Sequence, residues 1–194
     1  MSLGLVRPAA VQFVPTDPVE HRAELIALNV EYMAWVLAGI EHAFGTSPQD
    51  LLGQSIPDYV AGKLESVCGA PPPQGVFYLV RFDGALAGMG GLRRLRDGVA
   101  ELKRVYVRPA CRGARLGATI VERLLADARA FGYREVWLDS APFMASAHRL
   151  YEAAGFTDCS PYPETEVPPQ LRDRWRFMAR VLPAAAADAS AEGA

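Results

Sequence analysis

The segment from Val99 to Gly132 constrains the fold more tightly than any other. Val99 to Val107 (VAELKRVYV) has the composition of a strand and is ended by Pro109. The loop Arg112-Gly113-Ala114-Arg115-Leu116-Gly117-Ala118 follows. Leu116, Ile120, Val121, Leu124, Leu125 and Ala128 then recur as one apolar stripe, with Glu122, Arg123, Asp127 and Arg129 off it, until Gly132 stops the helix. Backbone N–H groups at such a helix start lack intrahelical acceptors, and the helix dipole favours an anion beside them. Glycines let a phosphate approach the main chain closely, and Arg112 and Arg115 add charge. The loop is not a P-loop, because Gly117 is followed by Ala118-Thr119, and no GxGxxG occurs. Taken alone, it also reads as an ordinary connector with exposed arginines.

Around this core the pattern is mixed α/β about one sheet. Residues 9–14 read as an opening strand, and Asp17-Pro18 as a helix start with Asp17 as N-cap. Leu25, Leu28, Tyr32, Trp35 and Val36 follow at helical spacing until Gly39 and Gly45 interrupt it. A weaker helix is expected from Pro57 to Val67 and a stiff connector at Pro71-Pro72-Pro73. Gly75–Phe82 and Ala85–Leu92 form a hairpin about Asp83-Gly84, and Asp97-Gly98 turns into the Val99 strand. After Gly132 come a short strand at Glu135–Leu138 and a helix from Ser146 to Ala154. The last strand, Arg174 to Leu182, is expected to turn Trp175, Phe177, Ala179 and Val181 to one side. One domain over residues 9–182 is expected, between a flexible start (1–8) and a disordered Ala-rich tail (183–194).

The net charge of −2 gives no general attraction to nucleic acid or anionic membrane. The arginines at 93, 94, 96, 104, 108, 112 and 115 lack the aromatic interleaving of a nucleic-acid surface. Cys68, Cys111 and Cys159 are odd in number and far apart, so reduced thiols in a cytoplasmic protein are expected, with no metal site. No signal peptide and no apolar run of membrane-spanning length is read.

Three blocks together resemble the GNAT superfamily of N-acetyltransferases. Arg112 to Gly117 is similar to its acetyl-CoA pyrophosphate loop, Q/R-x-x-G-x-G/A, with Arg115 where the middle glycine usually stands. Residues 100–109 resemble its fourth strand, and Ala147 to Phe156 (AHRLYEAAGF) its A-x-x-L-Y-E-x-x-G-F block. The resemblance implies a central, mostly antiparallel mixed sheet of six or seven strands, splayed between the fourth and fifth, with about four helices. It implies acetyl-CoA as cosubstrate, its diphosphate on Arg112, Gly113, Ala114, Arg115, Leu116, Gly117 and Ala118 and its pantetheine arm along Val105, Tyr106 and Val107. It places the Tyr151 hydroxyl near the CoA sulfur as general acid; from the residues alone, Tyr151 is also an aromatic packing on the Ala147/Ala154 face. Glu101 is the candidate base if desolvation raises its pKa, or else a surface carboxylate paired with Lys103 or an arginine. Strict alternation puts Glu101, Lys103, Val105 and Val107 on one face, and a β-bulge, common in the family, would break that register.

Met144 stands where the family often has Asn, so the pantetheine loses a partner unless Asp139, Ser140 or Ser146 supplies one. The acceptor is an amine of a small molecule or a protein, and Glu31, Tyr32, Trp35, Asp58 and Tyr59 are candidates to line its cleft, although Tyr32 and Trp35 fit the core better. The acidic segment Ser160–Pro169 either covers the site and attracts a cationic amine or is a Pro-rich surface loop. The alternative to an enzyme is a non-catalytic acyl-CoA sensor. The resemblance also allows a homodimer.

Overall fold

The computed structural model describes residues 10–183, so residues 1–9 and 184–194, with the flexible start and nearly all of the Ala-rich tail, lie outside the described residues. In chain order the elements are β1 (Val11–Pro15), α1 (Arg22–Phe44), α2 (Pro48–Leu52), α3 (Ile56–Cys68), β2 (Gly75–Phe82), β3 (Ala85–Arg96), β4 (Val99–Val107), α4 (Leu116–Ala130), β5 (Glu135–Ser140), α5 (Ala145–Ala153), β6 (Thr157–Asp158) and β7 (Arg176–Val181). The seven strands make one sheet in the order β1-β2-β3-β4-β5-β7-β6. All neighbours are antiparallel except β4 and β5, which run parallel.

β2 reads as a continuous apolar run because both of its faces are covered. Val76, Tyr78 and Val80 pack with the α4 stripe of Ile120, Val121 and Leu124. Phe77 and Leu79 pack on the opposite face with Leu25 and Leu28 of α1 and Leu64 of α3. The β2–β3 hairpin turns through Asp83 and Gly84 with φ of 49° and 82°, the pair of positive values that a tight two-residue turn requires.

Asp17 does cap a turn, accepting the N–H groups of Val19 and Glu20 at 2.7 and 3.0 Å, but regular α1 starts at Arg22. Gly39 does not interrupt α1. A Cβ there would lie 2.4 Å from the Phe143 ring, so this glycine admits a neighbouring loop against the helix, and Gly45, at φ 69°, ends it. The short α2 was not anticipated; Ser47 caps it from a segment with no apolar periodicity. In length and composition α1 could cross a membrane; its Leu25, Leu28, Val36, Leu37 and Ile40 are buried in the core.

On β7 the expected alternation holds, with Trp175 and Phe177 in one core cluster and Met178 and Leu182 in the other. Phe177 and Met178 are both buried, and Val181 is 75% exposed. The two core clusters cover both faces of the strand at Phe177 and Met178.

Candidate active site

β4 and β5 pair only at Val99–Glu135, Ala100–Val136 and Glu101–Trp137. Beyond Trp137 the strands part, leaving the remainder of β4 without a partner on that side. A groove of about 300 Å³ opens there, lined by Val105, Tyr106 and Val107 of β4, Arg112 and Gly117 of the loop, and Tyr151 of α5 among others. The three β4 residues, the loop and the tyrosine named from sequence therefore meet in one place.

A bulge in β4 sets which side chains meet the groove. Gly91 pairs with Lys103 but Met89 with Tyr106, so the register gains a residue, and Arg104 takes φ of 55°. Before the bulge Ala100 and Leu102 face α4; after it Val105 and Val107 do. Tyr106 then faces α1. The strict alternation expected for this strand is thus reversed at Arg104. Arg108 fastens α1 to the strand end, its Nε and Nη2 donating to the Glu31 carboxylate at 2.9 and 2.5 Å. That holds Trp35 at the groove, where it is 41% exposed, with the Arg112 guanidinium 5.8 Å over its ring. Trp35 is a wall residue, not the core residue its helical spacing suggested.

In the loop, Gly113 has φ 92°, and Arg115 takes the left-handed conformation at φ 57°, ψ 14°. A non-glycine residue held there costs about 1–2 kcal/mol, so Arg115 adopts at an energetic cost a conformation that glycine takes freely. Among the described residues, no acceptor within the protein is bonded to the N–H groups of residues 113–118 outside helical pairing, whereas Arg112 N–H is held by Pro109 O at 3.3 Å and Thr119 N–H by Arg115 O at 3.1 Å. These donors head a 15-residue helix. They form the set that an anionic diphosphate requires. The side chains of Arg115 and Ala118 border a separate hollow between α4 and α5.

Tyr151 is 7% exposed, packs edge-on against Phe156 at 5.9 Å, and its hydroxyl makes no side-chain hydrogen bond among the described residues. Burial, with Tyr32 and Asp139 adding to it, pushes its phenol far above the ordinary value, so it stays protonated at neutral pH. Met144 also lines the groove; its sulfur engages the Ser140 hydroxyl at 3.5 Å. Asp139 accepts from Trp175 Nε1 at 3.1 Å and from the Thr165 hydroxyl at 3.1 Å. Of the three substitutes for the missing Asn, Ser146 is the one at the groove.

Glu101 does not line the groove. It is 0% exposed and accepts from Arg93 Nε at 2.7 Å and from the Tyr162 hydroxyl at 2.5 Å, with Lys103 Nζ at 3.7 Å. Burial raises its pKa more than Lys103 and Arg93 lower it; the expected pairing is present, but on a fully buried carboxylate and not at the surface. The segment 160–169 is not a free acidic cover. Tyr162, Thr165 and Val167 are buried, Glu164 pairs with Arg96 at 2.9 Å, and Glu166 pairs with Lys103 at 2.8 Å and Arg93 at 3.1 Å. Sequence offered the pairing of Glu101 with Lys103 or an arginine but no sign of the links from Tyr162, Glu164 and Glu166, which span 61 to 73 residues.

Burial pushes the Glu166 carboxyl up, but Lys103 and Arg93 outweigh it and bring the group from its ordinary 4.5 down to about 2. A depressed folded-state pKa gives stability that is present above 4.5 and lost as pH falls toward 2. Thermal melts should therefore fall across that window, and Glu166→Gln should flatten the fall; an unchanged slope contradicts the assignment.

A strand parting from its parallel neighbour, an unbonded loop at a long helix start and a buried tyrosine between them define an acyl-CoA acetyltransferase architecture. The model of the acetyltransferase (GNAT) family matches residues 41–156, and the chain belongs to that family. It is 31% identical over 121 residues to an uncharacterized N-acetyltransferase of Schizosaccharomyces pombe, covering 61% of this chain and 72% of that one. It is 30% identical over 145 residues to the uncharacterized N-acetyltransferase YjgM of Escherichia coli K12, covering 73% of this chain and 83% of that one. Among solved structures, a GNAT-family acetyltransferase from Staphylococcus aureus Mu50 shares the fold with a TM-score of 0.65 and 18% identity, over 90% of this chain and 100% of that one. The yncA protein of Salmonella typhimurium, solved with its cofactor acetyl-CoA, shares it with a TM-score of 0.57 and 20% identity, over 95% and 99%.

Proposed function

We propose that this chain transfers the acetyl group of acetyl-CoA to the amine of a small molecule or a protein, with Tyr151 as general acid. The observation that carries the reading is the continuity of one groove from the loop, at Arg112 and Gly117, along Val105–Val107 to Tyr151. The unbonded N–H groups of residues 113–118 suit the diphosphate, and the open edge of β4 offers alternate donors and acceptors to the pantetheine arm. Acetyl-CoA supplies the thioester. Tyr151, held protonated by burial, donates to the departing sulfur. A backbone N–H of the Val105–Val107 stretch is the oxyanion donor in this reading. Ser146 supplies the side-chain hydrogen bond to the pantetheine that Met144 does not.

Glu101 does not line the groove, so in this reading it acts as a base only through intermediaries, of which the Tyr162 hydroxyl bonded to it is the first. Glu101→Gln tests this: loss of the acidic limb in the pH profile of kcat/KM supports the relay. A full profile with a stability loss of about 3–5 kcal/mol, as expected for a broken buried ion pair, leaves Glu101 a structural carboxylate.

The partners in this reading are acetyl-CoA and the amine, in the cytoplasm, without nucleic acid or membrane; the near-balanced charge supports that. Thiol release from acetyl-CoA across a broad amine panel is the test. Turnover with at least one amine is expected. Tight acetyl-CoA binding with no thiol released by any amine would instead identify a sensor.

A further inference from the structure

The face of β4 that looks toward α1 and α3 carries two buried or half-buried cations before the groove begins, and they are treated differently. Lys103 is 8% exposed and is matched by Glu166 and Glu101. Arg104 is half-buried, and among the described residues it has no carboxylate within 4.0 Å and no side-chain hydrogen bond; its Nη1 is buried with no partner. Glu166 feels Arg104 only at longer range, since Lys103 and Arg93 hold its oxygens. The crevice that Arg104 shares with Asn29, Val60, Lys63, Leu64 and Val67 has no room for a water molecule. A guanidinium with one edge sealed off from both water and protein acceptors is unfavourable, and an anion at its open edge offsets that.

Two features argue that the charge is placed for a ligand. The bulge residue is Arg104 itself, held at φ 55°, so the backbone accepts strain to turn this side chain off the regular strand. Its guanidinium also lies 5.3 Å from the Tyr32 ring, and Tyr32 packs at 5.8 Å on Tyr106 and 6.3 Å from Trp35, both of which line the groove. One aromatic ring thus separates the unpaired cation from the groove wall.

We propose that the acceptor is a small primary amine bearing a carboxylate, which the Arg104 fork binds while the amine enters the groove beside Tyr151. A planar, two-toothed donor matches a carboxylate, and the single positive charge matches its single negative one. This rests on the acetyl-transfer reading above and names its substrate class.

The experiment compares matched acceptors by thiol release: α-amino acids and ω-amino carboxylates of increasing length, each against its carboxamide. Wild type should prefer at least one carboxylate over its carboxamide by about 30-fold in kcat/KM, the scale of a desolvated charge pair losing one partner. Arg104→Met should abolish that preference through KM, with the acetyl-CoA Kd unchanged and Tm equal or higher, because an unpaired charge has gone. Equal rates for every matched pair in wild type, with turnover intact, overturn the inference alone. So does a preference that survives Arg104→Met, or a variant that loses Tm and keeps its KM values, which would make Arg104 a packing partner of Tyr32. No acetyl-CoA binding at all overturns the transferase reading itself.

Discussion

Tyr151→Phe should lower kcat by about 100-fold or more and leave acetyl-CoA affinity within about twofold, the signature of an interaction made in the transition state. The ring packs edge-on against Phe156 within the α4-side core, a contact that the phenylalanine keeps, so the fold and the groove wall should survive. What disappears is a hydroxyl with no competing side-chain partner, kept protonated by its burial. An unpartnered donor at the end of an apolar groove has little to offer the fold and much to offer a departing thiolate. Single-turnover thiol release at saturating acetyl-CoA, with calorimetry for the Kd, separates the two effects. Unchanged turnover removes Tyr151 from the chemistry and returns it to the core.

Gly117→Glu should raise the acetyl-CoA Kd about 100-fold or more, which corresponds to about 2.7 kcal/mol. Gly117 lines the groove in the first turn of α4, and a Cβ there would lie 3.2 Å from Leu150 Cδ2. The new side chain has to lean away from α5, across the donors of residues 113–118, and it carries a negative charge to the place where a diphosphate is received. Exclusion and repulsion act in the same direction. Glutamate suits the first turn of a helix, so Tm should change little. Affinity lost without stability is the expected pair, measured by calorimetry and thermal melts. Retained affinity places the diphosphate elsewhere.

The parts of the site that sequence exposed are those whose meaning is local. The β4–loop–α4 succession and the Tyr151 block each fit within a few turns of chain, and their residue types have few other uses in that order. Gly39 misled because a glycine within a helical pattern is ambiguous until the Phe143 ring that needs it is seen. Trp35 was assigned to the core by its spacing, yet α1 is set against the groove by the distant Arg108–Glu31 pair. The orientation of Glu101 depended on a bulge three residues further on, and nothing in Lys103-Arg104-Val105 announces one. The 160–175 segment has no periodicity, and its place is fixed by Arg93, Arg96 and Lys103, which lie some 60 to 70 residues earlier. Arg104 was legible only as one arginine in a cluster; its lack of a partner is a property of the fold.

The most direct test of the central claim is an amide NMR titration of the protein with acetyl-CoA. The backbone N–H signals of residues 113–118 should move downfield together as they take up diphosphate oxygens, with those of Val105–Val107 shifting in the same titration. Saturable acetyl-CoA binding that leaves the 113–118 amides in place would contradict the account.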